Sequence, residues 1–216
     1  MTGSINKKQK VDKILTYLDE ILPNVDIELN FSNNLELIIA VLLSAQCKDE
    51  YVNRATVGLF SRYKTIDDYA NADVSEVESL IKTLGLYKAK SKNIVKMAQM
   101  LRDVYHYEIP TTREELEKLP GVGRKTANVV VSVAFGTPAI AVDTHVERIS
   151  KRLGLATEKD NPLAVEKKLM KAIPMDRWSK VHHQLIHFGR YTCKAKKPEC
   201  TSCTLKDICK FEGKTI

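Results

Sequence analysis

The chain of 216 residues lacks any apolar run as long as the roughly 18 residues that a membrane-spanning helix needs. Its polar N-terminus, Met1 to Lys10, also lacks the apolar stretch of a secretory signal peptide. Low-complexity segments and repeats of about 20–50 residues are absent too, so linker composition marks no domain boundary. We therefore expect a soluble intracellular protein that does not associate with membranes.

Cysteine is scarce, with five in the chain. An odd number without a secretion signal argues against a disulfide framework and for metal binding. Cys47 stands alone, and we expect it to be a buried small hydrophobic residue. The other four lie within 17 residues near the C-terminus, at Cys193, Cys200, Cys203 and Cys209. Four thiolates so close in sequence can enclose either zinc or a [4Fe–4S] cluster, and their spacing leaves both open.

Positive charge, in contrast, is plentiful. The net charge is +7 and the pI is near 9.1. Basic residues that neutralise phosphates release counterions, so this balance favours polyanions, although a merely solvated basic surface would also produce it. With 44% apolar residues, the chain can bury a substantial core.

Apolar residues recur at helical spacing along almost the whole chain, as in Val11, Ile14, Leu15 and Leu18. This periodicity predicts an all-α protein. The N-terminal stretch and the one near 94–105 are two of the helices, and further ones are expected around 34–46, 49–63, 73–84, 112–118, 123–135, 144–154, 162–173 and 177–188.

Helix start signals support three of these predictions. Thr112 with Glu115, and Thr144 with Glu147, both fit the capping-box pattern. Pro162 stands where the first turn of a helix tolerates proline.

The most informative stretch is 119–127, with the sequence Leu-Pro-Gly-Val-Gly-Arg-Lys-Thr-Ala. Gly121 and Gly123 permit a tight turn and let the backbone approach a ligand closely. Because Gly123 opens the next helix, free amides and the positive end of the helix dipole form an anion site suited to a DNA phosphate. A lone Gly-x-Gly would fit an ordinary helical corner equally well, but this setting favours a helix-hairpin-helix motif.

Lys125 falls in the first turn of that second helix. A nucleophilic lysine must be neutral, whereas an ordinary lysine is protonated at neutral pH. The helix dipole, the cationic neighbour Arg124 and partial burial would favour the neutral amine, and a bound phosphate would favour the protonated one. Local chemistry therefore leaves a nucleophile and a phosphate contact both open.

Asp143 stands where an apolar run, 139–142, meets a polar helix start. A lone aspartate at such a place is most simply a helix N-cap. A catalytic role would need the fold to bring it beside Lys125, where its carboxylate could help deprotonate the amine or stabilise positive charge on deoxyribose. The two roles are compatible because capping fixes the direction of the carboxylate.

Basic residues surround the cysteine stretch, and they are Arg190, Lys194, Lys196, Lys197 and Lys206. They would face DNA phosphates if the loops are exposed, which we favour given the hairpin upstream. The alternative is charge compensation for an anionic thiolate cluster.

Taken together, these residues resemble the endonuclease III family of helix-hairpin-helix DNA glycosylases. The likeness covers nearly the whole chain, from Leu-Ile-Ile-Ala-Val-Leu-Leu-Ser-Ala-Gln-Cys-Lys-Asp at 37–49, through Ile-Lys-Thr-Leu-Gly-Leu-Tyr at 81–87, to the cysteine pattern. It implies two helical lobes with a DNA-binding groove between them. One is a six-helix barrel at 27–137, containing the helix-hairpin-helix motif at about 112–135. The other is a discontinuous iron–sulfur cluster domain at 1–26 and 138–216, with its cluster loop at 193–209.

The resemblance also implies residue roles. Lys125 matches the family's Schiff-base nucleophile and Asp143 its essential acidic residue, and the four clustered cysteines match its [4Fe–4S] ligands. Gln46 and Leu86 match residues that enter the duplex when the damaged nucleotide is rotated out, although simple loop packing would also explain Leu86. The full set of expected DNA contacts is Gln46, Leu86, Gly121, Val122, Gly123, Arg124, His145, Arg190, Lys196 and Lys197.

The implied activity is removal of oxidised pyrimidines from damaged double-stranded DNA, followed by strand cleavage 3′ to the abasic site through a lysine Schiff base. We expect a monomer that is cytoplasmic and, in a bacterium, associated with the nucleoid. Alternatives are an adenine-type glycosylase, a non-catalytic iron–sulfur DNA-binding module and an electron-transfer protein. Adenine-type relatives generally lack a lysine at the position of Lys125 and carry a further C-terminal domain, whereas this chain ends soon after Cys209.

Overall fold

The structure is a computed structural model that describes residues 6–214. Within this range all regular structure is helical and no strand is present, so the prediction of an all-α fold is confirmed. No helix among the described residues combines the length and the apolar character that a membrane span needs. The predicted domain limits include residues 1–5 and 215–216, which lie outside the described range.

The described residues form two compact units, one of which runs from 28 to 137. Its seven helices, within the described range, are α2 (Asn34–Leu43), α3 (Asp49–Arg62), α4 (Ile66–Ala70), α5 (Val74–Ile81), α6 (Tyr87–Asp103), α7 (Arg113–Leu116) and α8 (Arg124–Phe135). α2 packs against α3, α6 and α8, and α6 also packs against α4 and α5.

Helix α2 is the centre of this unit because it is apolar on every side. Its residues from Leu37 to Leu43 are all buried, and most of them are completely inaccessible. A helix that is hydrophobic all round must be covered by other helices, which fixes it as the core element. Its start is specified by Asn33, whose side chain accepts a hydrogen bond from the backbone amide of Glu36.

The other unit combines residues 6–27 with 138–214. Its helices are α1 (Lys7–Ile21), α9 (Thr144–Arg152), α10 (Pro162–Ala172) and α11 (Trp178–His187), with a 3-10 turn at Met175–Arg177 and a π-helical segment at Phe188–Thr192. α11 packs against both α1 and α9, and their apolar faces form a single core. Residues distant in sequence therefore complete one hydrophobic cluster.

Several predicted helix limits needed correction. The helix predicted over 34–46 ends at Leu43, and the short helix Ile66–Ala70, which begins with a capping box at Thr65 and Asp68, was missed. The capping box predicted at Thr144 is wrong, because Asp143 is the N-cap and Thr144 is the first helical residue. The cap at Thr112 is present, and Pro162 stands in the first turn of α10 as expected.

The turn that joins α7 to α8 depends on Gly121, which has a φ of +80°. A Cβ placed there would lie 2.9 Å from side-chain atoms of both Asn93 and Leu42. Gly136, the C-cap of α8, also has a positive φ, of +65°, but a Cβ there would meet nothing within 4 Å. The positive φ therefore favours glycine at both positions, whereas a steric clash with a Cβ would occur only at Gly121.

This difference can be measured with a matched pair of alanine variants. Gly136→Ala should lose about 1–2 kcal/mol of unfolding free energy because alanine is strained at positive φ. Gly121→Ala should lose a further ~1–3 kcal/mol because its Cβ overpacks the site. Denaturant unfolding of both variants tests the prediction, and equal losses would contradict it.

Candidate nucleic-acid interface and cysteine cavity

The N-terminus of α8 is built as an open anion site. Gly123 is the N-cap in an extended conformation, with a φ of −97° and a ψ of 176°, and it has no side chain to occupy the first amides. A Cβ built at Gly123 meets nothing within 4 Å, so the approach to this helix end is open. The amides and the helix dipole can therefore attract a phosphate.

Lys125 lies in the first turn of α8, as predicted, and its side chain is exposed. The apolar residues that follow it in α8 pack towards α2 and α7 and leave the Lys125 side chain exposed. Its neighbour Arg124 lies 3.9 Å from Glu117, which is also 3.4 Å from Arg113. The hairpin thus presents the exposed amine of Lys125 next to the charged side chains of Arg113, Glu117 and Arg124.

Asp143 caps α9 with a single oxygen. Its Oδ1 accepts hydrogen bonds from the backbone amides of His145, at 2.9 Å, and Val146, at 2.8 Å. Both cap contacts use Oδ1, so Oδ2 takes no part in the cap. The N-cap interpretation is confirmed, and the cap fixes the carboxylate while leaving one oxygen for another task.

His145 is held close to the π-helical segment. A Cβ added at Gly189 would lie 2.9 Å from the Cβ of His145, so only glycine allows this approach. Burial lowers the pKa of His145, and the nearby cations Arg148 and Arg190 lower it further, while Asp143 opposes them. The lowered pKa disfavours the cationic imidazole, which is the form that binds phosphate more strongly.

The basic residues of the cysteine stretch differ in accessibility. Lys196 and Lys197 are exposed on the loop, whereas Arg190 is half-buried in the segment Phe188–Thr192. Lys197 has a φ of +52°, which turns the chain sharply at this point. The two lysines are therefore placed to reach a polyanion from this loop.

Gln46 and Leu86 share an unusual backbone conformation. Their φ values are +57° and +61°, in the left-handed region that non-glycine residues rarely adopt. Both side chains are exposed, and Leu86 is 59% accessible. Leu86 thus projects from its loop instead of being buried in it.

The four clustered cysteines line one cavity. All four are half-buried, and burial raises the pKa of Cys193 although Arg152 opposes this. No three His, Cys, Asp or Glu side chains within residues 6–214 are gathered closely enough to hold a single metal ion. The four thiols are therefore neighbours around one space and not, within the described residues, the ligands of a preformed single-ion site.

Sequence reasoning missed Arg152, which organises the cysteine loop from helix α9. It is only 8% exposed, and its guanidinium donates to Cys193 Sγ at 3.2 Å and to the carbonyl of Lys194 at 2.8 Å. Its Cζ lies 3.8 Å from the centre of the Phe211 ring. The spacing of Arg148 and Arg152, one helical turn apart, is the signal that could have revealed a basic face towards the cysteines.

Helices α7 and α8, joined by the tight turn at Gly121, form a helix-hairpin-helix. Residues 39–175 match the family described as "HhH-GPD superfamily base excision DNA repair protein". The chain is 53% identical over 206 residues to endonuclease III of Bacillus subtilis strain 168, covering 95% of this chain and 94% of that one. It is 47% identical over 210 residues to endonuclease III of Escherichia coli strain K12, covering 97% and 99%.

A solved structure described as a trapped endonuclease III–DNA covalent intermediate, in an estranged-adenine complex, superimposes with a TM-score of 0.92. It is 53% identical and covers 96% of this chain and 97% of its own. The chain therefore belongs to the endonuclease III family of the HhH-GPD superfamily of base excision DNA repair proteins.

The cap at Asp143 leads to a stability prediction. Asp143→Ala should lower the free energy of unfolding by about 1 kcal/mol, because two amides lose their acceptor. Asp143→Asn should retain most of the stability because its side-chain oxygen can accept the same bonds. Thermal unfolding of the two variants distinguishes them, and a loss as large in asparagine as in alanine would show that the charge, not the cap, is what stabilises α9.

Proposed function

We propose that this protein removes oxidised pyrimidines from duplex DNA and then cleaves the strand 3′ to the abasic site. The observation that carries the proposal is Lys125, an exposed amine in the first turn of α8 beside an open anion site. Membership of a base excision repair family supplies the reaction class. A relative 53% identical has been trapped as a covalent intermediate with DNA, which agrees with a nucleophilic mechanism.

In the proposed reaction, the amine of Lys125 attacks C1′ of the extruded nucleotide. The N–C1′ bond forms while the bond from C1′ to the base breaks, and the base leaves with the bonding electrons. The nitrogen then loses a proton, and its lone pair breaks the C1′–O4′ bond, so that the sugar ring opens, O4′ takes up a proton and a protonated imine forms. This imine makes the 2′ proton acidic, and loss of that proton expels the 3′ phosphate and cuts the strand. One amine thus serves as glycosylase nucleophile and lyase catalyst.

Asp143 is the proposed acidic partner of this lysine. A carboxylate can take the proton that the ammonium must lose, or stabilise positive charge that develops on the sugar as the base departs. The cap on Oδ1 supports this role because it fixes the group without engaging Oδ2.

DNA contact is assigned to groups of two kinds. The hairpin from Gly121 to Arg124, including Val122, would bind phosphates, and so would Lys196 and Lys197, with His145 and Arg190 nearer the protein interior. Phosphate contacts position a duplex without reading its sequence. Gln46 and Leu86 would instead fill the gap that nucleotide flipping opens, since unstacking costs a few kcal/mol.

The four cysteines of the 193–209 loop are assigned as ligands of a [4Fe–4S] cluster. All four line one cavity, and N–H donors reach two of the sulfurs, from Arg152 to Cys193 and from the amide of Phe211 to Cys209. Both features suit thiolates around a polynuclear cluster. Such a cluster would stabilise the loop that carries Lys196 and Lys197 and would take no part in bond breaking.

The assignment implies two functional domains. Residues 27–137 would carry the hairpin and the nucleophile, and residues 1–26 with 138–216 would carry the cluster and Asp143. We propose that the protein acts as a monomer in the cytoplasm, associated with the nucleoid in a bacterium.

Borohydride reduction tests the nucleophile directly. The wild-type protein should become covalently attached to a duplex that contains an oxidised thymine or an abasic site, because hydride converts the imine into a stable amine. Lys125→Gln should give no adduct, whereas Lys96→Gln, a change at an exposed lysine of α6, should trap normally. Trapping by Lys125→Gln, or no adduct with folded wild type, would overturn the assignment.

A colour and iron assay tests the cluster. Purified wild type should be yellow-brown and contain about four irons per chain. Cys203→Ser should lose both signals and should unfold more easily. Cys47→Ser is the matched control, because Cys47 lies outside the 193–209 loop and should leave colour and iron unchanged. A colourless wild-type protein with one zinc would contradict the cluster and support a zinc site.

A further inference from the structure

Lys90 is a buried lysine in the unit that carries the hairpin. Its side chain is 4% exposed, although lysine is almost never fully buried unless its amine is paired. Its Nζ donates to the carbonyl of Leu43 at 2.9 Å, to that of Ala45 at 2.7 Å and to Cys47 Sγ at 3.2 Å. A lysine ammonium has three donors, and here all three find acceptors.

The acceptors lie at the C-terminal end of α2 and in the loop that follows it. α2 ends at Leu43, and the last carbonyls of a helix have no partners within the helix. A cation at this end also interacts favourably with the helix dipole. The amine of Lys90 therefore ties down residues 43–47, which include Gln46 between two of its contacts.

The backbone of Lys90 is attached to the second exposed residue. Lys90 stands in the first turn of α6, and its amide donates to the carbonyl of Leu86 at 3.0 Å. The two loops are direct neighbours, because a Cβ at Gly85 would lie 3.8 Å from Cys47 Sγ and 3.9 Å from the carbonyl of Gln46. One residue thus joins the segments that carry Gln46 and Leu86.

Both segments need such a restraint. The positive φ of Gln46 and of Leu86 is unfavourable for a side chain with a Cβ, and such a conformation persists only when surrounding contacts enforce it. Neither residue is held by burial of its own side chain, since both are exposed. The contacts of Lys90 are the restraint that reaches both loops.

We propose that Lys90 is a positioning residue that holds Gln46 and Leu86 as one rigid pair. The proposal rests on the function proposed above, in which these two residues fill the duplex gap left by the flipped nucleotide. Lys90 touches neither DNA nor the reacting atoms. It holds both side chains in their projecting conformation before DNA binds. They therefore do not have to become ordered while the nucleotide is flipped.

The test compares substrates that do and do not need the gap to be filled. Lys90→Met keeps the length of the side chain and removes its donors. On a duplex with an oxidised thymine, single-turnover base removal should fall by roughly 10- to 100-fold, since misplacement by about 1 Å has effects of that order. On single-stranded abasic DNA, cleavage should stay near the wild-type rate. Lys96→Met, an exposed change in the same helix, should alter neither rate.

A double-mutant cycle separates positioning from general destabilisation. In a Gln46→Ala/Leu86→Ala background, Lys90→Met should cause no further loss on the duplex, because the residues through which it acts are gone. A 2-aminopurine placed opposite the lesion gives a spectroscopic signal, since its fluorescence rises when it is unstacked. Wild type should produce this rise, and Lys90→Met should reduce it.

A second variant, Lys90→Gln, keeps two donors on a shorter side chain. It is measured in the same assays, so that the test stands even if Lys90→Met does not fold. It should show the same selective loss at smaller size. Equal losses on both substrates, or an undiminished effect in the Gln46→Ala/Leu86→Ala background, would overturn the positioning role. A wild-type protein inactive on single-stranded abasic DNA and on the duplex would instead overturn the proposed function itself.

Discussion

Every helix leaves amides at its N-terminus and carbonyls at its C-terminus without partners inside the helix, and the way in which each end is satisfied shapes this protein. The end of α2 is closed by a buried ammonium from Lys90. The start of α9 is closed by one oxygen of Asp143. The start of α8 follows a glycine and remains open. Each of these three helix ends contains or adjoins residues to which we assign chemistry or DNA contact.

The first amides of a helix need hydrogen-bond acceptors. The open end at Gly123 and the capped end at Asp143 meet this need in opposite ways. An uncapped N-terminus keeps its amides for a phosphate, which is useful only where a ligand supplies the acceptor. A capped N-terminus orients its aspartate, so the carboxylate gains a fixed direction from a structural task. A single residue can in this way stabilise a helix and remain available for chemistry.

In the unit formed by residues 6–27 and 138–214, a single side chain likewise makes several contacts that order the cysteine loop. Arg152 stands on helix α9, packs against Phe211 and donates to several groups of the loop, including the sulfur of Cys193. The loop is otherwise irregular, and its backbone hydrogen bonds are mostly short-range ones, such as those from Cys203 to Cys200 and from Cys209 to Leu205. Its form therefore depends on a helix whose first residue follows Asp143, which couples the order of the cysteines to the same core that supports the carboxylate.

Local pattern was sufficient for much of this protein. Apolar spacing predicted the helices, because a helix must bury one face whatever its surroundings. Two motifs each lie within a short stretch of sequence: the glycine pair with the lysine after it, and the four clustered cysteines. They could therefore be recognised without knowledge of the fold. Tertiary structure decided what depends on distant residues: that Lys125 is exposed, that Asp143 rather than Thr144 caps α9, and that Lys90 is buried against the end of α2. The left-handed backbone at Gln46 and Leu86 also could not be inferred from sequence, since only contacts between separate loops make such a conformation stable.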